Sequence, residues 1–198
     1  VSGVRTLRAA AANALGSEES IFGQFVLARK VDPNRKWIRG LFSGGSLAAE
    51  AQMVLCHRGL KVMSNAPIPG VNMFSEGIPG HILLDLGEDQ FTRGRPHPMI
   101  DPVVREKFLR KALDDDEIGV ILLDVVIGFG SSDDPASHIV RALDNHQGRD
   151  PIVVASVTGT EDDRQVLSRQ VAILKSAGVS IAPSNAHAAE AALAYISR

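Results

Sequence analysis

The sequence predicts an α/β protein with a flavodoxin-like, doubly wound parallel sheet of about five strands, in three α/β/α layers. Three observations predict it. Short apolar runs alternate with helix-length segments from Lys36 to the C-terminus. Gly119 to Val126 and Pro151 to Val157 are apolar almost throughout, as strands covered on both faces are. The resulting βαβαβαβαβα order needs crossover connections, which are nearly always right-handed and place helices on both faces.

The elements follow in chain order. Leu7 to Leu15 is alanine-rich and reads as a helix, broken by Gly16-Ser17, and Glu18 to Arg29 reads as a second short helix. Asp32-Pro33-Asn34 is a turn, because Pro fixes φ and Asp and Asn bond to nearby backbone. Residues 1–35 are therefore expected to be an N-terminal helical arm or linker, and 36–198 the folded domain. Trp37 to Phe42 is the first strand, Ser43-Gly44-Gly45-Ser46 a turn, and Leu47 to Arg58 a helix. Leu60 to Ser64 is a short extended piece, followed by an irregular Pro- and Gly-rich excursion to Gly80. His81 to Leu86 is a strand and Gly87 to Arg95 a polar loop. Pro102 to Leu113 is a helix with Asp101 as its cap. After the strand 119–126 come a helix at Ala136 to Leu143, the strand 151–157, a helix from Asp163 to Ala177 and a strand from Val179 to Ala182. Ser184 or Asn185 then caps a last helix, Ala188 to Ile196.

Composition excludes several function classes. With 21 Lys+Arg against 23 Asp+Glu, the net charge of -2 does not suit general electrostatic binding to nucleic acid. A single cysteine, Cys56, excludes a disulfide framework and a multi-thiolate metal site, and it reads as a packed thiol. No apolar run approaches the roughly 18–20 residues that span a bilayer, so no membrane is expected and the cytoplasm is the expected location. The chain opens at Val1 rather than Met, which leads us to expect a piece of a larger protein.

Ligands of open parallel sheets bind beyond the carboxyl ends of the strands, near the point where strand order reverses. The loops there are Ser43 to Ser46, Gly87-Glu88-Asp89, Gly128 to Ser131, Thr158-Gly159-Thr160 and Pro183-Ser184-Asn185. The Ser43-Gly44-Gly45-Ser46 turn is the best anion site: its glycines allow close approach, and free N–H groups at a helix start attract phosphate or carboxylate. It lacks the lysine of a Walker loop and the dinucleotide fingerprint. The run Phe91 to Asp101 carries Arg93 and Arg95 around Gly94, with His97 between two prolines. Arginine suits bidentate anion recognition, and a stiffened histidine suits a fixed donor or general acid. Asp124, in an apolar strand, needs a partner or a ligand: it either holds an arginine of the rim loop or orients a catalytic histidine. Asp85 is open to the same two readings. Glu88 and Asp89 are read as solvated, and no metal is expected. His57, His138, His146 and His187 lie on helices or their ends and carry no assigned role.

Gly40 to Leu47 with Glu50-Ala51, Gly94 to Asp101, Leu122 to Val126 and Ala182 to Asn185 together resemble the FdrA family, over residues from about Lys36 to the C-terminus. That family is similar to the ligase domain of the succinyl-CoA synthetase α subunit and of other NDP-forming acyl-CoA synthetases. The resemblance implies a CoA-binding-like domain upstream and other subunits of an enzyme complex as partners, with a homo-oligomer also compatible. It implies that Ser43 to Ser46 match the helix start that holds a phosphohistidine. The phosphohistidine loop itself is expected after the fourth strand, where Ser156 to Asp163 contains no histidine. This departs from a nucleotide-driven phosphoryl relay.

The FdrA resemblance implies instead part of an oxamate carbamoyltransferase of allantoin catabolism, interconverting oxalurate plus phosphate with oxamate plus carbamoyl phosphate. On that reading Ser43 to Ser46 and Arg93 bind the anion, while Arg95, His97 and Asp124 serve catalysis. No cofactor is expected in this domain; phosphate or an acyl phosphate is the ligand, with CoA or nucleotide possible in the full-length protein. Two alternatives stand beside it, an acyl-CoA synthetase using CoA and nucleotide, and a non-catalytic assembly subunit.

Overall fold

The computed structural model describes residues 6–14, 25, 32–143 and 151–197. The second arm helix expected over 18–29 lies outside them apart from Phe25, as does His146. Seven parallel strands form one sheet: β1 (Trp37–Phe42), β2 (Val62–Ser64), β3 (Asn72–Met73), β4 (His81–Asp85), β5 (Ile118–Val126), β6 (Ile152–Thr158) and β7 (Ser180–Ala182). Their spatial order is β3-β2-β4-β1-β5-β6-β7. The five strands expected from the sequence are all present in it. β2 and β3 extend the edge, the second of them inside the Pro- and Gly-rich excursion.

Seven helices complete the described residues: α1 (Leu7–Ala14), α2 (Gly45–His57), α3 (Asp89–Thr92), α4 (Val103–Leu113), α5 (Pro135–Ala142), α6 (Leu167–Ser176) and α7 (Asn185–Ile196). α2 and α7 cover one face, where Ile38, Phe42, Leu122 and Val154 meet Ala51, Leu55, Ala188 and Tyr195. The alanines of α7 allow close approach of helix to sheet. α4, α5 and α6 cover the other face, against Leu41, Leu84, Ile121 and Val153. None of these helices is long and apolar enough to cross a membrane.

Local chemistry sets several boundaries. Asp101 Oδ1 accepts the Val103 N–H at 3.1 Å, a local turn one residue ahead of α4; the N-cap is Pro102 and no side chain caps this helix, which corrects the cap expected of Asp101. Asp134 caps α5 through Ser137, and Ser184 caps α7 through His187. The helix expected from Asp163 begins only at Leu167, because Asp163 Oδ2 is drawn back to the Thr160 N–H at 2.6 Å and Val166 takes φ 59. The arm helix α1 docks on the domain: the Leu7 N–H donates to Glu50 Oε1 at 2.6 Å, and Arg8 pairs with Glu190 at 3.3 Å.

The chain leaves β1 for β2, β3 and β4 on one side and later for β5, β6 and β7 on the other. Strand order therefore reverses at β1, and the space beyond its carboxyl end, beside its neighbours β4 and β5, is where an open sheet offers a ligand site.

Candidate functional site

α2 starts in that space. Gly44, its N-cap, is extended (φ -120, ψ 120), and no side chain caps the helix. The N–H groups of Leu47 and Ala48 turn back to the Gly44 carbonyl at 3.1 and 3.0 Å. Those of Gly45 and Ser46, ahead of them, are left open at the positive end of the helix dipole.

A buried ion pair fixes the turn. Asp124 Oδ1 accepts the Ser43 N–H at 2.8 Å and the Ser43 hydroxyl at 2.9 Å, while Oδ2 accepts the Gly44 N–H at 2.9 Å. Arg105 of α4 donates from Nη1 to the Asp124 carbonyl at 2.6 Å, to Ser43 Oγ at 3.2 Å and to Asp124 Oδ1 at 3.3 Å. Burial pushes the Asp124 carboxyl up and the Arg105 guanidinium down, and each charge opposes the shift of the other. Four donors converge on this carboxylate, so Asp124 is a positioning residue beneath the turn. That corrects the catalytic role expected of it: every contact it makes is internal, and its arginine comes from α4, not from the rim loop. Arg105 was missed; its place in an amphipathic helix gave no signal of a buried partner.

Beside the turn, the end of β4 supplies Asp85. Asn65 clasps the Asp85 backbone, donating from Nδ2 to its carbonyl and accepting its N–H at Oδ1, both at 2.8 Å. Asp85 Oδ1 accepts the Gly87 N–H at 2.8 Å. Oδ2 lies 2.7 Å from the point a Cβ on Gly45 would occupy, at the start of α2. His97 completes the wall. Its Nδ1 accepts the Met99 N–H at 3.3 Å, so in the neutral ring Nε2 carries the proton. Nε2 approaches Gly87 so closely that a Cβ there would sit 2.5 Å from it and 3.0 Å from the Ser43 carbonyl oxygen. Glycine at 87 is what lets β4, the turn and His97 meet.

A cavity of about 470 Å³ results, lined by Ser43 to Leu47, Asp85, Gly87, His97 and Met99. The structure thus brings together Ser43, Gly44, Gly45, Ser46 and His97. It does not bring Arg93 and Arg95 to them. The expected clamp is corrected, because α3 and the turn at Gly94 (φ 75) leave both arginines exposed on the outer loop. Neither makes an ion pair with a described residue. Two neighbouring loops are tied to this wall. The Ser132 N–H donates to the Met99 carbonyl at 2.8 Å, and buried Gln165 holds Gly128, Ser131 and Ser132 from the β6–α6 loop. No cluster of metal-ligating side chains occurs among the described residues.

A parallel doubly wound sheet with an uncapped helix start at its switch point is an α/β domain of the class in which open sheets take ligands at this end, and helix starts of this kind favour anions. Comparison with known proteins narrows the class: residues 41–195 match the family model described as CoA-ligase, and the chain belongs to that family. It is 38% identical over 165 residues to the uncharacterized protein YahF of Escherichia coli (strain K12), covering 79% of this chain. The matched part spans about a third of that relative's length, at 32%. The crystal structure of PH0766 from Pyrococcus horikoshii OT3 aligns with 94% of this chain and 42% of its own, at 17% identity and a TM-score of 0.49. The family match agrees with the resemblance to the ligase domain of acyl-CoA synthetases read from the residues.

Proposed function

We propose that this chain is the ligase-like domain of an FdrA-type protein, and that it holds phosphate and a carbamoyl or acyl phosphate within an oxamate carbamoyltransferase-like enzyme. The carrying observation is the meeting of the open Gly45 and Ser46 N–H groups with His97 Nε2 in one cavity. A CoA-binding-like domain of the same protein and further subunits would supply the rest of the enzyme. The loop after β6 has no histidine to phosphorylate, which favours a bound acyl phosphate over a phosphorylated side chain.

In the phosphorolytic direction, an oxygen of hydrogen phosphate held at α2 bonds to the carbamoyl carbon of oxalurate. The bond from that carbon to the oxamate nitrogen breaks, and the phosphate proton passes to that nitrogen. The N–H on His97 Nε2 donates to the carbonyl oxygen as charge grows there, a preorganised donor of the kind that dominates such transfers. Asp124 and Arg105 keep the turn in place.

The test is phosphate-dependent cleavage of oxalurate by the full-length protein with its partner subunits. His97→Gln is expected to lower it on the order of 100-fold or more, the range of a lost donor in acyl transfer. Turnover that depends on CoA and ADP instead would return the domain to the acyl-CoA synthetase reading. Failure to bind phosphate, CoA or ADP would make it an assembly subunit.

A further inference from the structure

We propose that Asp85 makes the site selective for an amide-bearing phosphate, its Oδ2 accepting an N–H of the carbamoyl group; the inference rests on the phosphate site proposed above. Asp85 is only 5% exposed and cannot swing away. Its backbone is clasped on both sides by Asn65, and its Oδ1 is taken by the Gly87 N–H. Oδ2 has no hydrogen-bond partner among the described residues, and it stands beside the first residue of α2 in the wall of the cavity.

Three donors line the cavity, the Gly45 and Ser46 N–H groups and His97 Nε2, beside the neutral Ser43 carbonyl and Ser46 hydroxyl, and Asp85 is the one acidic residue of the lining. One unpaired carboxylate oxygen among them is a liability for bare phosphate, since like charges repel and an unpaired ionised group near the interior is costly. It becomes an asset for a ligand that carries N–H donors a few bonds from its phosphate. A carbamoyl phosphate has such an NH2 group; an acetyl phosphate places a methyl group there. Sites built to hydrogen-bond a substrate N–H reject analogues that lack it, because the protein group is then left unpaired.

Two stable analogues isolate the effect: phosphonoacetamide, and acetonylphosphonate, in which methyl replaces the amide nitrogen. Both, with inorganic phosphate, are titrated calorimetrically into the full chain, with and without Mg²⁺. The wild type is expected to bind phosphonoacetamide about tenfold or more tighter than acetonylphosphonate, as one charge-assisted hydrogen bond allows. Asp85→Asn should abolish the preference and tighten inorganic phosphate. The Gly87 N–H demands the amide oxygen at the Oδ1 place, which turns the NH2 group toward the ligand. Asp85→Ser, which removes Oδ2 altogether, should also erase the preference, and guards against misfolding of the first variant. Equal binding of the two analogues by the wild type, equal weakening of all three ligands in the variants, or Mg²⁺-dependent binding without preference overturns the role of Asp85 and leaves the phosphate site standing. No binding of inorganic phosphate by the wild type overturns both.

Discussion

Asp124 and Arg105 form a buried ion pair at 3.3 Å, with side chains 0% and 3% exposed, directly beneath the helix start that opens the cavity. The pair ties α4, β5 and the Ser43 turn into one unit. Asp124→Asn keeps the shape but leaves Arg105 as a buried cation without a counter-charge. Breaking one side of such a pair costs about 3–5 kcal/mol, whereas removing both charges together costs much less. Urea denaturation should therefore show Asp124→Asn with Arg105→Met to be more stable than Asp124→Asn alone. An additive double variant would show that the two residues act separately.

Gly87→Ala tests the close approach of His97. The new methyl meets His97 Nε2 at 2.5 Å, the Ser43 carbonyl oxygen at 3.0 Å and Asp85 Oδ1 at 3.1 Å, so the ring must move. Overpacking of this kind costs roughly 1–3 kcal/mol. Loss of phosphate affinity should accompany a modest fall in Tm, read by calorimetry on the same sample. Unchanged affinity would detach His97 from the site.

Gln165→Ala should free the rim loop. The Gln165 side chain accepts the Gly128 N–H at 3.2 Å and donates to the Gly128 and Ser132 carbonyls at 3.1 and 3.0 Å and to Ser131 Oγ at 2.9 Å. Truncation removes the partner of the Gly128 N–H and of the Ser132 carbonyl, at about 1–3 kcal/mol for groups that stay buried, while the Gly128 carbonyl keeps Ser131. Amide exchange over 128–132 should accelerate while the strands keep their protection.

The sheet was legible because its strands are local apolar runs and several of its helices carry their own caps, such as Asp134 and Ser184. The Ser43 to Ser46 turn was legible for the same local reason. What was not legible depends on distant groups. Asp124 announced its need for a partner, but Arg105 is 19 positions away, and only the seating of α4 turns it inward. Arg93 and Arg95 suggested a clamp by charge alone; the short helix α3 and the Gly94 turn send them outward. β3 is two residues long, too short for any period to register.

Stability should depend on pH through His81 at the opposite rim. Its Nδ1 accepts the Ile38 N–H at 3.1 Å, and burial, then the nearby Arg39 charge, holds the imidazole below the usual histidine range. Below about pH 6.5 the unfolded chain takes up a proton here that the folded chain refuses. Stability therefore falls as pH drops through that value, and keeps falling until the folded group itself protonates. His81→Asn retains an acceptor for Ile38 without titrating, so the difference between wild-type and variant melting curves should shrink between about pH 7 and pH 5. A constant difference would contradict the assignment.

The backbone amides of Gly45 and Ser46 report most directly on the central claim. In a ¹⁵N-labelled sample titrated with inorganic phosphate, these two signals, with the His97 ring, should show the largest saturable shifts, moving downfield as hydrogen bonds to the anion form. Shifts confined to other residues, or none at these amides at saturating phosphate, would contradict the account.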